Sequence, residues 1–382
     1  MSQVEKKSKK GVLLPPAVGY SFQIVLGLIW NNKIDFRYYF RLFIIIVVNL
    51  INYPFRTYER LFINPKYKKQ DIKNQPIFIL GHWRSGTTHL HNLLCQDEQM
   101  GYTTTYQSVF PDTTFNILGN ALFQGFAKAL MPGKRAGDNV ALGTALPQEE
   151  EFALGDKTPI SFYYFWMFPF RIKDYYKRFI LFKGIDSDQA EEWKSNYKLL
   201  IKKALKNTNK EVYLSKNPPN TARIKVLLEM FPDAKFIHIH RNPVEVFLST
   251  HNFFLKMLPH LQLQNMPQDT MDMVVMDLYK NLMADYFEQR ELIPKGNLIE
   301  VSFDALQKEP LHVISSIYKE LSLTGFQVSE TRFKSYIESK KSYKKNTHKI
   351  TKSHLAALKE TCGFIFEEYN YNMPENIEIL ND

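Results

Sequence analysis

Residues 76–95 constrain the fold more than any other part of the chain, because their order of residue types allows few local structures. The apolar run at residues 77–80 is short enough to be a buried parallel strand. Gly81 begins a tight loop that ends at Gly86, and Thr87 then begins a helical pattern with leucines on one face. A strand, a glycine loop and a helix N-terminus form an anion cradle, because the first helical N–H groups lack partners and that end of the dipole is positive. The stretch therefore predicts a site for a phosphate-like group.

The spacing of Gly81 and Gly86 is that of the nucleotide-binding loop G-x-x-x-x-G-K-[ST]. Thr87 stands where that loop has its lysine, and the cation of this loop, Arg84, precedes the second glycine. Kinases and nucleotide hydrolases need the lysine on the β- and γ-phosphates. The loop therefore predicts an anion site other than the end of a triphosphate. An ordinary strand-to-helix turn is the alternative, because glycine and threonine are common at such turns.

Residues 235–250 form a second motif, in which a strand pattern leads into the turn Arg241-Asn242-Pro243 and a helix. Ser249 lies eight residues beyond Arg241 on that helix. A guanidinium binds phosphate in a bidentate manner, which explains an arginine rather than a lysine at such a turn. The turn and Ser249 are thus a second candidate anion contact.

Together the two motifs resemble the sulfotransferase superfamily, and most closely its broad bacterial-type branch. The resemblance covers about residues 76–355. In that family the first motif is the 5′-phosphosulfate loop, so the resemblance implies the sulfuryl donor 3′-phosphoadenosine 5′-phosphosulfate. The implied donor contacts are Arg84, Ser85, Gly86, Thr87, Thr88 and His89 at the loop, and Arg241 and Ser249 at the 3′-phosphate.

Strands that alternate with helices predict an α/β fold, P-loop-like and three-layered, with a central parallel sheet flanked by helices and an N-terminal helical extension. We predict a basic tail and an apolar helical extension over residues 1–70, and a sulfotransferase domain over residues 71–382. The predicted strands are residues 77–80, 211–215, 235–240 and 297–302.

The run Glu149-Glu150-Glu151 follows Pro147 and suits the positive first turn of a helix. One interpretation is a solvated acidic turn. The other is a general base, because a hydroxyl that attacks sulfur must lose its proton and a partly buried carboxylate can take it. Similar acidic clusters occur in bacterial-type sulfotransferases. Helical geometry lets at most two of the three point inward, and we predict Glu149 and Glu151 as catalytic residues.

Lys216 follows the strand at residues 211–215 and precedes a proline turn, so we expect its side chain to point towards the strand ends. The resemblance implies that Lys216 and Arg84 act on the transferred group. Many relatives have a histidine just after this lysine, whereas this chain has Asn220 in that neighbourhood. The departure shifts the role of base to the glutamates. A surface lysine in a loop is the alternative.

Residues 343–351 (YKKNTHKIT) are the last functional candidate. A solvated basic loop is the usual meaning of such a run. The superfamily also has a late basic loop that closes over the 3′-phosphate, and the resemblance implies that Lys345 and His348 bind the donor there.

Residues 42–53 are the most hydrophobic segment of the chain. A membrane span needs about 20 apolar residues, so this run is too short to be one. We predict a buried helix packed on the main domain, because short apolar runs are more often core. The alternative is an interfacial helix with Arg37, Arg41 and Arg56 towards lipid headgroups.

The net charge of +10 favours an anionic partner. Nucleic acid is not expected, because the lysines are spread out rather than interleaved with stacking aromatics. The two cysteines, Cys95 and Cys362, argue against a disulfide framework and favour a reducing compartment. We predict a cytoplasmic protein, and peripheral contact with the inner face of a membrane is the alternative that goes with an interfacial helix. His238 and His240 alternate on a strand without a third ligand nearby, and no metal is predicted.

We therefore predict an enzyme that transfers a sulfuryl group from 3′-phosphoadenosine 5′-phosphosulfate to an acceptor hydroxyl, with fixed cations in place of Mg²⁺. Residues 101–143 are predicted to line an apolar acceptor pocket at the strand ends. Aromatic residues, at 14% of the chain, favour a hydrophobic alcohol such as a lipid or sterol, and a carbohydrate is the nearest alternative. Two further alternatives are a P-loop kinase and a non-catalytic peripheral membrane protein that binds nucleotide.

Overall fold

The computed structural model describes residues 15–130, 133, 142–340, 348–375 and 377–381. Within this part of the chain, a five-stranded parallel sheet of order β2-β3-β1-β4-β5 forms the centre. Its strands are β1 (Ile77–Leu80), β2 (Met100–Gly101), β3 (Val212–Lys216), β4 (Lys235–His240) and β5 (Leu298–Ser302). A second parallel pair joins β6 (His348–Thr351) to β7 (Ile377–Leu380).

Helices connect and cover these strands. In chain order they are α1 (Phe22–Asn31), α2 (Tyr39–Tyr58), α3 (Asn64–Lys68), α4 (Thr87–Leu94), α5 (Thr105–Val109), α6 (Ile117–Leu130), α7 (Glu151–Lys157), α8 (Ile172–Tyr175), α9 (Ser187–Thr208), α10 (Ile224–Met230), α11 (Pro243–Leu261), α12 (Gln268–Gln289), α13 (Phe303–Lys308), α14 (Pro310–Glu320), α15 (Phe326–Lys340) and α16 (Lys352–Glu368).

The side chains of β1 alternate between two cores, because successive strand residues point to opposite faces of the sheet. Phe78 and Leu80 join a core that also contains residues of α9, α11 and α12. Ile77 and Ile79 join a second core with leucines of α4 and residues of α13, α14 and α15. Helices therefore cover both faces of the sheet, and the predicted three-layer α/β fold is confirmed.

Two prolines bear on where helices begin. Residues 303–321 form α13 and α14 with a break at Glu309, because Pro310 has no N–H and is accommodated at the first position of α14. The helix expected to start near Pro147 begins only at Glu151, and Pro147 pairs with Thr104 in an isolated bridge.

The N-terminal helices lie on this domain with one face. A π-helical turn (Glu59–Ile63) joins α2 to α3, so that Phe36–Lys68 is continuous. The prediction of a buried helix at residues 42–53 is wrong, because only 28% of the most apolar window is buried. Among the described residues, Phe36–Lys68 alone is long and apolar enough to cross a membrane, by a test of length and composition that core helices also pass.

A buried cluster of charges attaches these helices to the domain. Lys203 of α9 is fully buried, and its Nζ lies 2.7 Å from Glu59 Oε1 and 2.9 Å from Asp112 Oδ1. Lys157 Nζ lies 2.7 Å from the same Asp112 oxygen. Burial would raise the pKa of Asp112, but the Lys157 and Lys203 ammonium groups outweigh it and hold that pKa well below its usual value. The cluster is therefore a set of charges that depend on one another inside the protein.

We expect Lys203→Met to lower the free energy of unfolding by about 3 to 5 kcal/mol, because it leaves the Glu59 carboxylate buried without its cation. Urea titration monitored by circular dichroism measures this free energy of unfolding. Lys206→Met, at an exposed position of the same helix, is the matched control and should change it by less than about 0.5 kcal/mol. Equal values for the two variants would contradict the structural role of the cluster.

Candidate active site

Three neighbouring strands of the sheet end side by side. Ile79 of β1 pairs with Lys216 of β3 on one side and with Ile237 of β4 on the other. Because parallel strands have their carboxyl ends at one edge, the segments that follow them meet there. The loop from Gly81 and the turn at Arg241 follow β1 and β4, and Lys216 is the last residue of β3 rather than a residue after the strand as predicted. The tertiary structure thus gathers the motifs that lie far apart in the sequence.

The backbone of the loop after β1 requires its glycines. Gly81 has φ of 143°, and a Cβ there would lie 2.6 Å from the carbonyl oxygen of Ile239. Gly86 has φ of 103°, and a Cβ there would collide with the ring of Phe303. Arg84 also has a positive φ, 70°, which is uncommon for a residue with a side chain. The loop is therefore a close-packed turn that presents its backbone to the start of α4.

Side chains of the two predicted anion motifs contact each other. Arg84 Nε donates a hydrogen bond to Ser249 Oγ at 3.0 Å, and its guanidinium lies 5.4 Å from the ring centroid of Phe253. Arg241 Nη1 donates to the backbone carbonyl of Arg84 at 3.3 Å, while its Nε lies 3.0 Å from Glu245 Oε2. The structure therefore brings the side chains of Arg84, Arg241 and Ser249 together in one polar cluster.

The remaining residues of the loop fall into two sets. Thr87 and Thr88, at the N-terminus of α4, face an apolar cavity that lies beside the loop. Ser85 is buried and donates to a carbonyl within the loop at 2.8 Å. His89 does not line that cavity, and burial and the nearby Lys340 cation lower its pKa. Thr87 and Thr88 are thus the hydroxyl side chains that face the cavity here, and the loop contributes its backbone.

Glu149 and Lys216 form an ion pair at the same place. Lys216 Nζ lies 2.5 Å from Glu149 Oε1, and both side chains are largely buried. The other carboxylate oxygen of Glu149 accepts a hydrogen bond from the Tyr163 hydroxyl. That hydroxyl accepts one from Trp83 Nε1 at 3.0 Å, and burial together with Glu149 raises the Tyr163 pKa well above its usual value. A protonated tyrosine, itself held by the loop residue Trp83, therefore orients Glu149.

Glu151 does not line the cavity, and the prediction that it is a catalytic base is corrected here. Its carboxylate is fully buried, lies 2.6 Å from Arg223 Nη1 and accepts hydrogen bonds from Asn217 Nδ2 at 2.9 Å and the Phe162 N–H at 2.7 Å. Burial alone would raise the pKa of Glu151, but Arg223 and these hydrogen bonds outweigh it and lower the pKa. A carboxylate held this firmly in its charged form is a structural ion pair.

Glu150 also points away from the cavity. It accepts hydrogen bonds from Tyr197 Oη at 2.7 Å and from the Ser215 hydroxyl, and burial raises its pKa. Because the three consecutive glutamates have three different sets of partners, only Glu149 is placed for chemistry in the cavity.

This apolar cavity has a volume of about 190 Å³ and extends from Arg84 and Glu149. Arg84, Thr87, Thr88 and Glu149 lie at its polar end. Its other walls are largely apolar and include Val18; Tyr106, Val109 and Phe110; Phe126 and Leu130; Leu142; Phe152; Trp166; and Phe253, Met257 and Leu261. Residues 101–143 therefore contribute to the cavity, although Phe123 is buried behind it against Phe110.

Two predicted donor contacts give little more information. Lys345 lies outside the described residues, and His348 begins β6.

The sequence interpretation missed three residues of the site: Trp83 and Tyr163, which orient Glu149, and Arg223, which pairs with Glu151. Tyr163 lies in a run of ten residues, 161–170, of which seven are aromatic, so no local pattern distinguished it.

The arrangement fits an anionic donor beside an apolar acceptor. The N-terminus of α4 and the guanidinium groups of Arg84 and Arg241 favour bound phosphate or sulfate groups. Glu149 can accept a proton, and Lys216 can neutralise negative charge next to it. The residues present are therefore those that transfer of an anionic group to a hydroxyl requires.

Comparison with known proteins agrees with this chemistry. A model of the sulfotransferase family matches residues 76–327. The chain is 30% identical over 361 residues to omega-hydroxy-beta-dihydromenaquinone-9 sulfotransferase Stf3 of Mycobacterium bovis and of Mycobacterium tuberculosis. The matched region covers 94% of this chain and 92% of each relative.

Solved structures share the fold. The crystal structure of sulfotransferase STF9 from Mycobacterium avium superposes with a TM-score of 0.65 at 17% identity, covering 99% of this chain and 100% of that one. Sulfotransferase STF1 from Mycobacterium tuberculosis gives a TM-score of 0.61 at 16% identity, with 91% and 90% covered. With its two motifs joined at one edge of the sheet, the chain belongs to the sulfotransferase family.

Proposed function

We propose that this enzyme sulfates a hydrophobic, lipid-like alcohol with Glu149 as the general base. Membership of the family implies 3′-phosphoadenosine 5′-phosphosulfate as the donor, which supplies the sulfuryl group. The observation that carries the proposal is the Glu149–Lys216 ion pair at the polar end of an apolar cavity, next to Arg84 and the N-terminus of α4.

The loop and the turn after β4 would hold the two ends of the donor. The backbone of Ser85 and Gly86 and the start of α4 suit the 5′-phosphosulfate, with Arg84, Thr87 and Thr88 as side-chain contacts. Arg241 and Ser249 suit the 3′-phosphate, and their contacts with Arg84 put them next to the loop, as binding of one donor by both motifs requires. We keep His89, Lys345 and His348 as further proposed donor contacts.

The acceptor hydroxyl would enter from the apolar side of the cavity. Glu149 would take its proton while the hydroxyl oxygen bonds to sulfur and the sulfur–oxygen bond to the 5′-phosphate breaks. Lys216 and Arg84 would neutralise the negative charge that develops on the equatorial sulfuryl oxygens and the leaving phosphate. These fixed cations serve the purpose that Mg²⁺ has in nucleotide hydrolases, so we propose that no metal takes part.

The walls of the cavity support a hydrophobic acceptor over a carbohydrate. A sugar needs several polar partners, whereas apolar side chains such as Phe110, Phe126 and Leu130 dominate beyond the polar end. The relative Stf3 acts, by its name, on a hydroxylated menaquinone, which is a lipid alcohol. We propose a long-chain or isoprenoid alcohol, and a cytoplasmic enzyme that meets it at the inner face of a membrane.

We expect 3′-phosphoadenosine 5′-phosphate to bind the wild-type protein in calorimetric titration, while ATP with Mg²⁺ does not. Arg241→Ala should weaken bisphosphate binding by about a hundredfold, because it removes a bidentate contact to phosphate. Arg178→Ala, on the surface away from the cavity, is the control and should bind like wild type. A preference for ATP would contradict the family assignment of the donor and favour a kinase.

Arg84→Ala and Lys216→Ala should each lower kcat by about a hundredfold or more and change donor affinity less, because their proposed contacts strengthen in the transition state. Steady-state kinetics with hexadecanol as acceptor, combined with calorimetry, separates the two effects. If either variant changes donor affinity alone, its transition-state role is wrong.

Glu149→Gln and Glu151→Gln should differ in kind. Glu149→Gln should lower kcat by about a hundredfold or more while donor binding is retained, because an amide cannot take the proton from the attacking hydroxyl. The second should instead lower the free energy of unfolding by about 3 kcal/mol, because it breaks the buried pair with Arg223.

The stability cost of Glu151→Gln should depend on pH. The folded-state pKa of Glu151 is lowered, so its stabilising contribution is present above its ordinary value of 4.5 and is lost as the pH falls through the lower folded value. Urea titrations of both proteins at neutral and acidic pH should therefore show a difference that shrinks below about pH 4.5. A difference that stays constant with pH would refute the ion-pair assignment.

A further inference from the structure

We infer that α1, α2 and α6 form a docking platform for an anionic lipid bilayer, from which a membrane-dissolved acceptor enters the cavity. The inference about the acceptor rests on the proposed function, whereas the inference about docking rests on the surface alone. The platform is defined by exposed residues of these helices and of the turn that follows α2: Trp30, Phe40, Phe43, Phe62, Ile117 and Leu118, each between 60% and 91% exposed.

The platform residues of α2 form a stripe opposite to the one that packs on the domain. Ile45, Asn49 and Asn52 recur at helical spacing and are buried. Phe40 and Phe43 lie about half a turn away and are exposed. This helix therefore buries Asn49 and Asn52 together with aliphatic side chains against the protein and presents large aromatic ones outwards, which is unusual for a helix that packs on a domain.

The buried stripe fixes α2 along the domain instead of across a bilayer. Asn49 Nδ2 donates to the Ala17 carbonyl at 3.0 Å, and Arg56 Nη2 lies 3.1 Å from Asp156 Oδ1. Glu59, on the next turn, is paired with Lys203. A span would have to break these buried pairs, so the helix is suited to lie in the interface with its outer stripe in the acyl region.

Charge favours an anionic membrane as the occupant of this surface. Between residues 36 and 69 the sole acidic residue is Glu59, and it is fully buried. Lys66, Lys68 and Lys69 are exposed at the end of the same helix, and the one charged residue of α6, Lys128, is exposed as well. Within residues 36–69 and α6 the surface therefore offers rings and cations without an exposed carboxylate, while Asp35 and Asp71 lie just outside these bounds. This excess of cations complements anionic headgroups. In a second copy of this chain the same cations would repel each other.

A continuous row on α6 connects the platform to the cavity. Leu118, Leu122, Phe126 and Leu130 are spaced four residues apart and thus share one side of the helix. Leu118 and Leu122 are exposed, whereas Phe126 and Leu130 line the cavity that ends at Glu149. Since the row spans 12 residues, or about 18 Å, an apolar chain can follow it from the bilayer to the site.

The test is co-sedimentation of the full-length protein with vesicles of phosphatidylglycerol and phosphatidylcholine, compared with phosphatidylcholine alone. We expect wild type to bind the anionic vesicles, and Phe43→Glu and Leu118→Glu to bind them about tenfold more weakly, because each places a charge in the acyl region. Val328→Glu, at a 77% exposed position on α15, is the matched control and should bind like wild type.

Charge reversal gives a second, independent arm. Lys66→Glu with Lys68→Glu should reduce binding to anionic vesicles and leave the melting temperature unchanged, whereas Lys308→Glu with Lys319→Glu, exposed on another face, should not reduce it. Calorimetric binding of 3′-phosphoadenosine 5′-phosphate shows that each variant is folded.

Three results would overturn the platform: no vesicle binding by wild type, equal binding by the platform variants, or concentration-dependent dimers in light scattering that Phe43→Glu dissolves. Failure of the proposed function looks different, because vesicle binding would then persist while hexadecanol in the same vesicles is not sulfated by wild type. With both correct, Phe43→Glu loses turnover of hexadecanol in vesicles and retains turnover of the water-dispersed alcohol octanol, because Phe43 does not line the cavity.

Discussion

The close-packed turn between β1 and α4 is the constraint on which the rest of the site depends. Positive φ at Gly81, Arg84 and Gly86 lets the chain reverse in six residues between a buried strand and a helix N-terminus. The same turn places the Arg84 carbonyl against Arg241 and the Arg84 side chain against Ser249. A residue with a Cβ at either glycine would displace neighbouring groups, so the turn, the anion cradle and the position of the guanidinium groups form one unit.

Desolvation sorts the acidic residues near this unit. Glu149, Glu150 and Glu151 are consecutive, yet each meets a different partner: Glu149 precedes α7, Glu150 is its N-cap and Glu151 is its first residue. An arginine keeps Glu151 charged, burial raises the pKa of Glu150, and Glu149 meets a lysine at the cavity. Burying an unpaired carboxylate is costly, so the partners decide which glutamate is structural and which is available to a substrate.

The N-terminal helices follow the same rule on a larger scale. The polar side of α2 is buried because Asn49 and Arg56 find partners there, and its aromatic side is left outside. In water this surface leaves apolar side chains exposed, which is unfavourable, and contact with a bilayer would bury them. The helix that completes this surface, α6, also lines the cavity, so access to the site and contact with a membrane depend on one element.

Local patterns in the sequence determined the strand-loop-helix motif, the Arg241 turn, the parallel sheet and the family, because glycine spacing, apolar runs and helix starts are properties of neighbouring residues. They also made Glu149 a candidate, together with Glu151, and the family resemblance made Lys216 one, although Glu149 and Lys216 lie 67 residues apart. Only the tertiary structure decided which glutamate faces the cavity, that Tyr163 and Trp83 orient it, and which side of α2 is buried. The physical reason is that periodicity separates the faces of a helix but does not say what packs against each one, and the partners of a buried charge come from elsewhere in the chain.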